Sequence, residues 1–164
     1  MEAAHDAIAI RGMFRLQIEN PESGEIVGDS GWQKNQITNL GVAGYLVYSL
    51  GSLANSSYVS YAGIGEGTEP GAADTTLESE CTGTDAQVQR ATLTRASSGS
   101  TGLRCTGTFG SGDSFVTAQE TITNIGLFAS STAGTIFAGN TFAGSTIDTN
   151  QNANFTYDVT FTPS

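Results

Sequence analysis

Residues 154–161, NFTYDVTF, carry the cleanest strand pattern of the chain. Aromatic and branched apolar side chains alternate there with Asn, Thr and Asp. Because successive side chains of a strand point to opposite faces, this period of two predicts a strand that buries one face. The positions expected to face the core are Phe155, Tyr157, Val159 and Phe161.

The same period of two occurs near the start of the chain, where Phe14, Leu16 and Ile18 alternate with polar residues before a turn at 20–24. In the alternating stretch 103–109, Cys105 falls on the inward face. The stretch 58–64 predicts a strand buried on both faces, and 121–128 a strand with a bulge near Gly126. The other expected strands are residues 87–95 and 135–143, and residues 30–34 are expected to form either a strand or a loop.

One helix is expected, beginning after a cap at Thr38 or Asn39 and ending at Gly51. Its apolar stripe is predicted at Leu40, Ala43, Val47 and Leu50. A second, short helical turn is expected after Asp74, because Thr75 and Glu78 have the spacing of a capping box.

About eight strands with one inserted helix predict an all-β, jelly-roll-like β-sandwich. The chain has 164 residues, which suits one domain. We expect this domain over residues 11–164, preceded by an N-terminal arm over residues 1–10. Within the arm, residues 7–10 either begin a strand or dock on a neighbouring molecule.

The charge is strongly acidic, with 16 Asp and Glu against 6 Lys and Arg and a net charge of -10. This balance argues against binding to nucleic acids or to anionic membrane surfaces, both of which need clustered cations. The sequence shows neither a secretory signal nor a run of 18 apolar residues. In a reducing cytosol Cys81 and Cys105 are expected to stay unpaired, although their pairing is left open.

The glycine-rich loop at residues 63–71 lacks the Lys-Ser/Thr ending of a phosphate-binding loop, and Glu66 and Glu69 would repel phosphate. The acidic run that continues to Glu80 lacks EF-hand spacing for Ca²⁺. Neither a metal site nor a cofactor site is therefore predicted.

Catalytic residues are not predicted either. The single histidine, His5, lies in the arm, and no pair of carboxylates is marked by the sequence. The protein is therefore not expected to be an enzyme. Five aromatic residues would stack on a sugar if exposed: Trp32, Tyr45, Tyr48, Tyr58 and Tyr61. Positions in the core or at a subunit interface are favoured for them, and a carbohydrate-binding sandwich is the more remote alternative.

Four stretches, in this order, carry a family resemblance: residues 38–41; residues 63–70 with 74–80; residues 122–128 with 136–138 and Phe142; and residues 155–161. In these stretches the chain resembles small structural proteins of tailed bacteriophages. Residues 1–37 lie outside the resemblance.

The resemblance implies a jelly-roll sandwich with a structural role in the virion. Since the chain has little beyond this module, a capsid decoration (cement) protein that binds the major capsid protein is favoured. It would be assembled in the host cytoplasm and form a homo-oligomer, a trimer by the resemblance. A tail adaptor, tail-tip or fibre component is the alternative. The expected partner contacts are Ala7, Ile8, Ala9 and Ile10 of the arm, and Glu66, Glu69 and Pro70 of the loop.

Overall fold

A computed structural model describes residues 8–47, 51, 58–81, 90–113 and 115–163 of the chain. Ala7, Leu50 and part of the predicted strand 87–95 lie outside the described residues. The described residues form ten strands, all paired antiparallel, which confirms the all-β class. The strands are β1 (Ile8–Glu19), β2 (Ile26–Asp29), β3 (Gln33–Ile37), β4 (Tyr61–Gly65), β5 (Ala91–Thr92), β6 (Thr94–Ser97), β7 (Gly102–Phe109), β8 (Glu120–Phe128), β9 (Ala138–Ile147) and β10 (Asn152–Pro163).

The strands follow the order β5-β4-β8-β9-β3-β1-β10-β7-β6, and β2 pairs with β1. β3 joins the two layers, because it pairs with β1 in one layer and with β9 in the other. On the opposite side, β5 pairs with β4 while β6, one residue later, pairs with β7. The result is a nearly closed sandwich whose layers meet along both sides.

The longest ladder joins β1 and β10, from Ile8 opposite Pro163 to Glu19 opposite Asn152. The predicted inward faces of these strands are confirmed: Phe14, Leu16 and Ile18 are buried, as are Phe155, Tyr157 and Val159. Phe161 packs at the edge of this core. Two regular amphipathic strands thus supply the centre of the hydrophobic core.

β1 begins before the expected end of the N-terminal arm. Ile8, Ala9 and Ile10 pair with residues 161–163 of β10 in the same molecule. Of the two possibilities left open for this segment, the structure shows a strand, because its backbone groups bond to the free edge of β10. Ala7 lies outside the described residues.

The helix begins where expected, but its buried face differs from the predicted stripe. Helix α1 (Asn39–Gly41) is capped by the hydroxyl of Thr38, which accepts from the Gly41 N–H, and it continues as a π-helical segment, Val42–Val47. Leu40 and Val47 are exposed, whereas Tyr45 is buried. The predicted stripe was therefore wrong at these two positions. From Val42 onward the π-helix has more residues per turn than the 3.6 of an α-helix, so the predicted spacing no longer keeps its residues on one face.

Residues 75–78 do not form the predicted helical turn. The Glu78 carboxylate, expected to cap such a turn, instead accepts the backbone N–H of Thr68 at 2.9 Å and the Thr68 hydroxyl. A contact between segments ten residues apart has therefore replaced the local capping box, which is a tertiary effect.

The irregularity in β8 also lies elsewhere than predicted. The register with β9 shifts between Ile122 and Asn124, not at Gly126. Gly126 is in register with Gly63 of β4 and with Gly139 of β9. A side chain on Gly126 would collide with Ile136, so the glycine allows close packing and does not mark a bulge.

Candidate docking surface

A third layer covers the outer face of β4, β8 and β9. It consists of residues 66–81, called the strap here. The Thr123 hydroxyl donates to the Gly67 carbonyl at 2.9 Å, and the buried Asn124 amide donates to the carbonyls of Thr68 (3.2 Å) and Glu78 (3.0 Å). Leu77 of the strap packs on Phe128 and Ile136, and the three side chains form a small second core. This layer explains why β4 is buried on both faces, as its sequence predicts.

A row of three glycines lets the strap approach the sheet. Gly63, Gly126 and Gly139 lie side by side on β4, β8 and β9. A Cβ atom on Gly139 would lie 2.7 Å from the Ile125 carbonyl oxygen and 2.7 Å from Cγ of Pro70, and one on Gly63 would collide with the Glu80 carboxylate. A side chain at Gly63 or Gly139 would therefore press on the strap, and one at Gly126 would press on Ile136 and Phe128.

Arg90 fastens the end of the strap to the sheet. Its guanidinium donates to Glu80 through Nε (2.5 Å) and Nη2 (2.9 Å), and through Nη1 to the carbonyls of Ser130 (3.0 Å) and Ala133 (2.8 Å). It also lies 3.3 Å from the centre of the Phe128 ring. This buried residue was not predicted from the sequence. The available signal was an arginine close to an acidic run in a chain with few cations.

The predicted contact residues fall on two different parts of the molecule. Ala9 is exposed and Ile10 half-buried on β1, while the side chain of Ile8 lies outside the described residues. Glu66 and Glu69 are exposed on the strap, and the Glu66 carboxylate accepts the Thr121 N–H at 3.1 Å. Pro70 is buried against Gly139, so its ring supports the strap from within.

Helix α1 adjoins the strap and adds apolar surface. The Asn39 N–H donates to the Ala72 carbonyl at 2.8 Å, which joins the two segments. Three apolar side chains of α1 and the π-helical segment that follows it are exposed. They are Leu40 (46%), Val42 (39%) and Val47 (52%). We call the exposed side of the strap together with these three residues the strap face. The sequence had assigned Leu40 and Val47 to the core, so it did not reveal this surface.

The strap face is anionic. Residues 66–81 contain five acidic residues and no basic one. The hydrogen bonds from Thr68 hold the pKa of Glu78 below its usual value, which keeps this carboxyl ionised. On the outer face of the other layer, Arg15 pairs with Asp29 and Arg104 with Asp158. Charge is therefore distributed unevenly between the two sides of the sandwich.

The two cysteines are free thiols and lie in different places. Cys105 is buried in the core, and burial raises its pKa to about 11. The Cys81 thiol donates to Glu120 at 2.9 Å, and burial with this neighbouring carboxylate raises its pKa as well. Both thiols are therefore protonated and weakly nucleophilic near neutral pH.

Exposed aromatic rings are few among the described residues. Trp32 precedes β3 and is 43% exposed, and Tyr58 precedes β4 and is 63% exposed. Tyr45 packs on Phe137, and its hydroxyl donates to the Thr135 carbonyl at 2.8 Å. The aromatic residues considered for sugar stacking are thus divided between the surface and the core.

Comparison with protein-family models, curated proteins and solved structures gave no match to this chain. In the part of the chain that the structure describes, we find no group of three or more His, Cys, Asp or Glu side chains placed to hold a metal ion. None of the helical segments described has the length and apolarity needed to span a membrane.

Proposed function

We propose that this protein is a virion structural protein, and specifically a capsid decoration protein that binds the major capsid protein through the strap face. One observation carries the proposal. Several of the stretches that carry the resemblance pack against one another as the strap and the strands beneath it: residues 63–70 with 74–80, residues 122–128 and residues 136–138. The residues that carry the resemblance thus form one continuous part of the fold, whose outer side is the strap.

The strap face has the composition of a docking surface. Leu40, Val42 and Val47 supply apolar area, and carboxylates such as Glu69 and Asp74 are exposed on the adjoining strap. An apolar centre with a polar rim is the usual anatomy of protein interfaces. Acidic groups would also steer the protein towards a basic patch on its partner.

The resemblance further supports a homotrimer. Three copies related by a threefold axis would use one heterologous contact that closes into a ring. Native mass spectrometry of the purified protein tests this part. Three times the 16.9 kDa chain mass supports the trimer, and a monomer at micromolar concentration argues against it.

The first experiment measures the ratio of this chain to the major capsid protein in purified virions by quantitative mass spectrometry. A fixed ratio near one, or a simple fraction of it, supports a decoration protein. A few copies per hundred capsid subunits would instead support the tail adaptor, tip or fibre alternative. Absence from the particle would overturn a virion role and favour the carbohydrate-binding alternative.

A second experiment tests the surface. Leu40→Asp and Glu69→Lys should each weaken binding to capsids that lack the protein by about tenfold or more, the effect of losing one interface anchor. Val27→Asp and Glu25→Lys make the same changes at exposed positions in and next to β2 and serve as controls. Equal losses in the controls, or unchanged binding in the strap-face variants, would contradict docking through this face.

A further inference from the structure

An apolar cavity of about 300 Å³ opens between the two layers, where β10 ends and β4 begins. Its aliphatic and aromatic walls include Leu46, Val59, Leu103, Phe137, Val159 and Phe161. Exposed Tyr58 lies at its rim. The volume is at the lower end of the range of about 300–1,000 Å³ found for small-molecule sites.

Two buried hydroxyl groups of the walls already have hydrogen-bond partners. The Tyr45 hydroxyl donates to the Thr135 carbonyl at 2.8 Å, and the Tyr157 hydroxyl accepts the Asn35 amide at 2.6 Å. These two tyrosines therefore offer only their rings to the cavity. Because a buried water needs two to four polar partners, such a cavity favours an apolar occupant over water.

Among the described residues that line the cavity, Arg95 is the one that carries a charge. It is exposed, and its Nη1 donates to the Val59 carbonyl at 3.3 Å. Among the described residues it forms no ion pair, in a chain whose net charge is -10. An apolar cavity beside this cation matches a ligand with an apolar body and an anionic end.

We propose that this cavity binds a single-chain amphiphile with an anionic head, whose alkyl chain fills the cavity while its head pairs with Arg95. None of the lining residues named for this cavity belongs to the strap face, so the proposal does not depend on the proposed capsid role. No group is transferred and no bond is formed, since the contact consists of burial and one ion pair.

The probe is dodecanoate, titrated calorimetrically below its micellar concentration, with dodecyltrimethylammonium as the matched ligand of opposite head charge. We expect saturable binding of one dodecanoate per chain, and binding of the cation weaker by at least about tenfold, the size of one charged hydrogen bond. Non-specific attraction to this acidic protein would give the reverse order. Equal affinities, a preference for the cation, or no binding would overturn the proposal.

Arg95→Gln should lower dodecanoate affinity by about tenfold or more and leave the affinity for the cation no lower, while Arg11→Gln on the outer face of β1 serves as the control. Methyl NMR locates the ligand. Shifts of Leu46, Val59, Leu103 and Val159 support the site. Shifts confined to Ile26 and Val27 of β2, or an equal effect of the two arginine variants, would overturn it.

Discussion

Arg90 shows how one buried cation can join two layers of a sheet protein. It is 3% exposed, and Glu80, two backbone carbonyls and the Phe128 ring surround its guanidinium. Burial of a charge is costly unless the charge is paired and hydrogen-bonded, and here it is both. The geometry therefore makes either partner of the pair hard to remove alone.

Glu80→Gln should lower the free energy of unfolding by about 3–5 kcal/mol, because it leaves the Arg90 charge buried without a partner. The double variant Arg90→Met with Glu80→Leu should lose less, since it removes both charges. Urea unfolding measures each value. Arg104→Gln, at an exposed pair with Asp158, is the control and should change stability little. A Glu80→Gln variant as stable as this control would contradict the role of the pair.

The ion pair of Arg15 with Asp29 should make the free energy of unfolding depend on pH in the acid range. The guanidinium donates from Nε to Asp29 at 3.0 Å, and this bond lowers the pKa of Asp29 to about 2. A carboxyl whose pKa falls on folding stabilises the folded state above its unfolded pKa of about 4. That contribution should be lost as the pH falls from about 4 to about 2.

Arg15→Gln should raise the Asp29 pKa towards about 4, measured by NMR titration of its carboxyl carbon. Arg11→Gln removes a cation from the same strand without touching this pair, so it should leave the midpoint unchanged. A midpoint near 4 in the unaltered protein would contradict the expected shift.

At the scale of elements, the glycine row determines how closely the strap can pack. Gly139→Ala should destabilise the protein by about 1–3 kcal/mol, because the new methyl group would press on a backbone carbonyl and on Pro70. Gly44→Ala is the matched control. It has open space in a helical segment and should be neutral or stabilise by up to about 1 kcal/mol. Thermal unfolding measures the stability of the two variants. Equal effects of Gly139→Ala and Gly44→Ala would contradict close packing under the strap.

Across the whole molecule, local stability should be greatest in the paired strands β1 and β10. We expect amide hydrogen exchange to be slowest in these two strands, since they pair over twelve residues and carry the central core. Exchange should be faster in the short strand β2, whose Ile26 and Val27 are exposed. Mass spectrometry of exchanged peptides measures this order, and equal protection of β1 and β2 would contradict it.

Much of the fold was predictable from local pattern alone. The alternation in β1, β7 and β10 specified strands and their inward faces, including Cys105, and Thr38 marked the start of α1. These features follow from neighbours in sequence, because the period of two and the cap depend on only a few adjacent residues. The all-β class followed from the same signals.

The candidate site was predicted less completely. Exposed Glu66 and Glu69 were expected on a surface loop, but Pro70 lies beneath that loop and Arg90 was not anticipated. These outcomes depend on residues far apart in sequence, such as Pro70 against Gly139. No local period encodes such a contact.

Local sequence pattern was enough to specify β1, β7 and β10 with their buried faces, and the acidic character of residues 66–81. Three features became visible only in the folded chain: these acidic residues form a third layer, Leu40 and Val47 face solvent, and an apolar cavity opens beside Arg95. The two groups of features differ in how far apart in sequence the interacting residues are. Alternation and capping are local, whereas a layer, an exposed face and a cavity arise from the packing of distant segments.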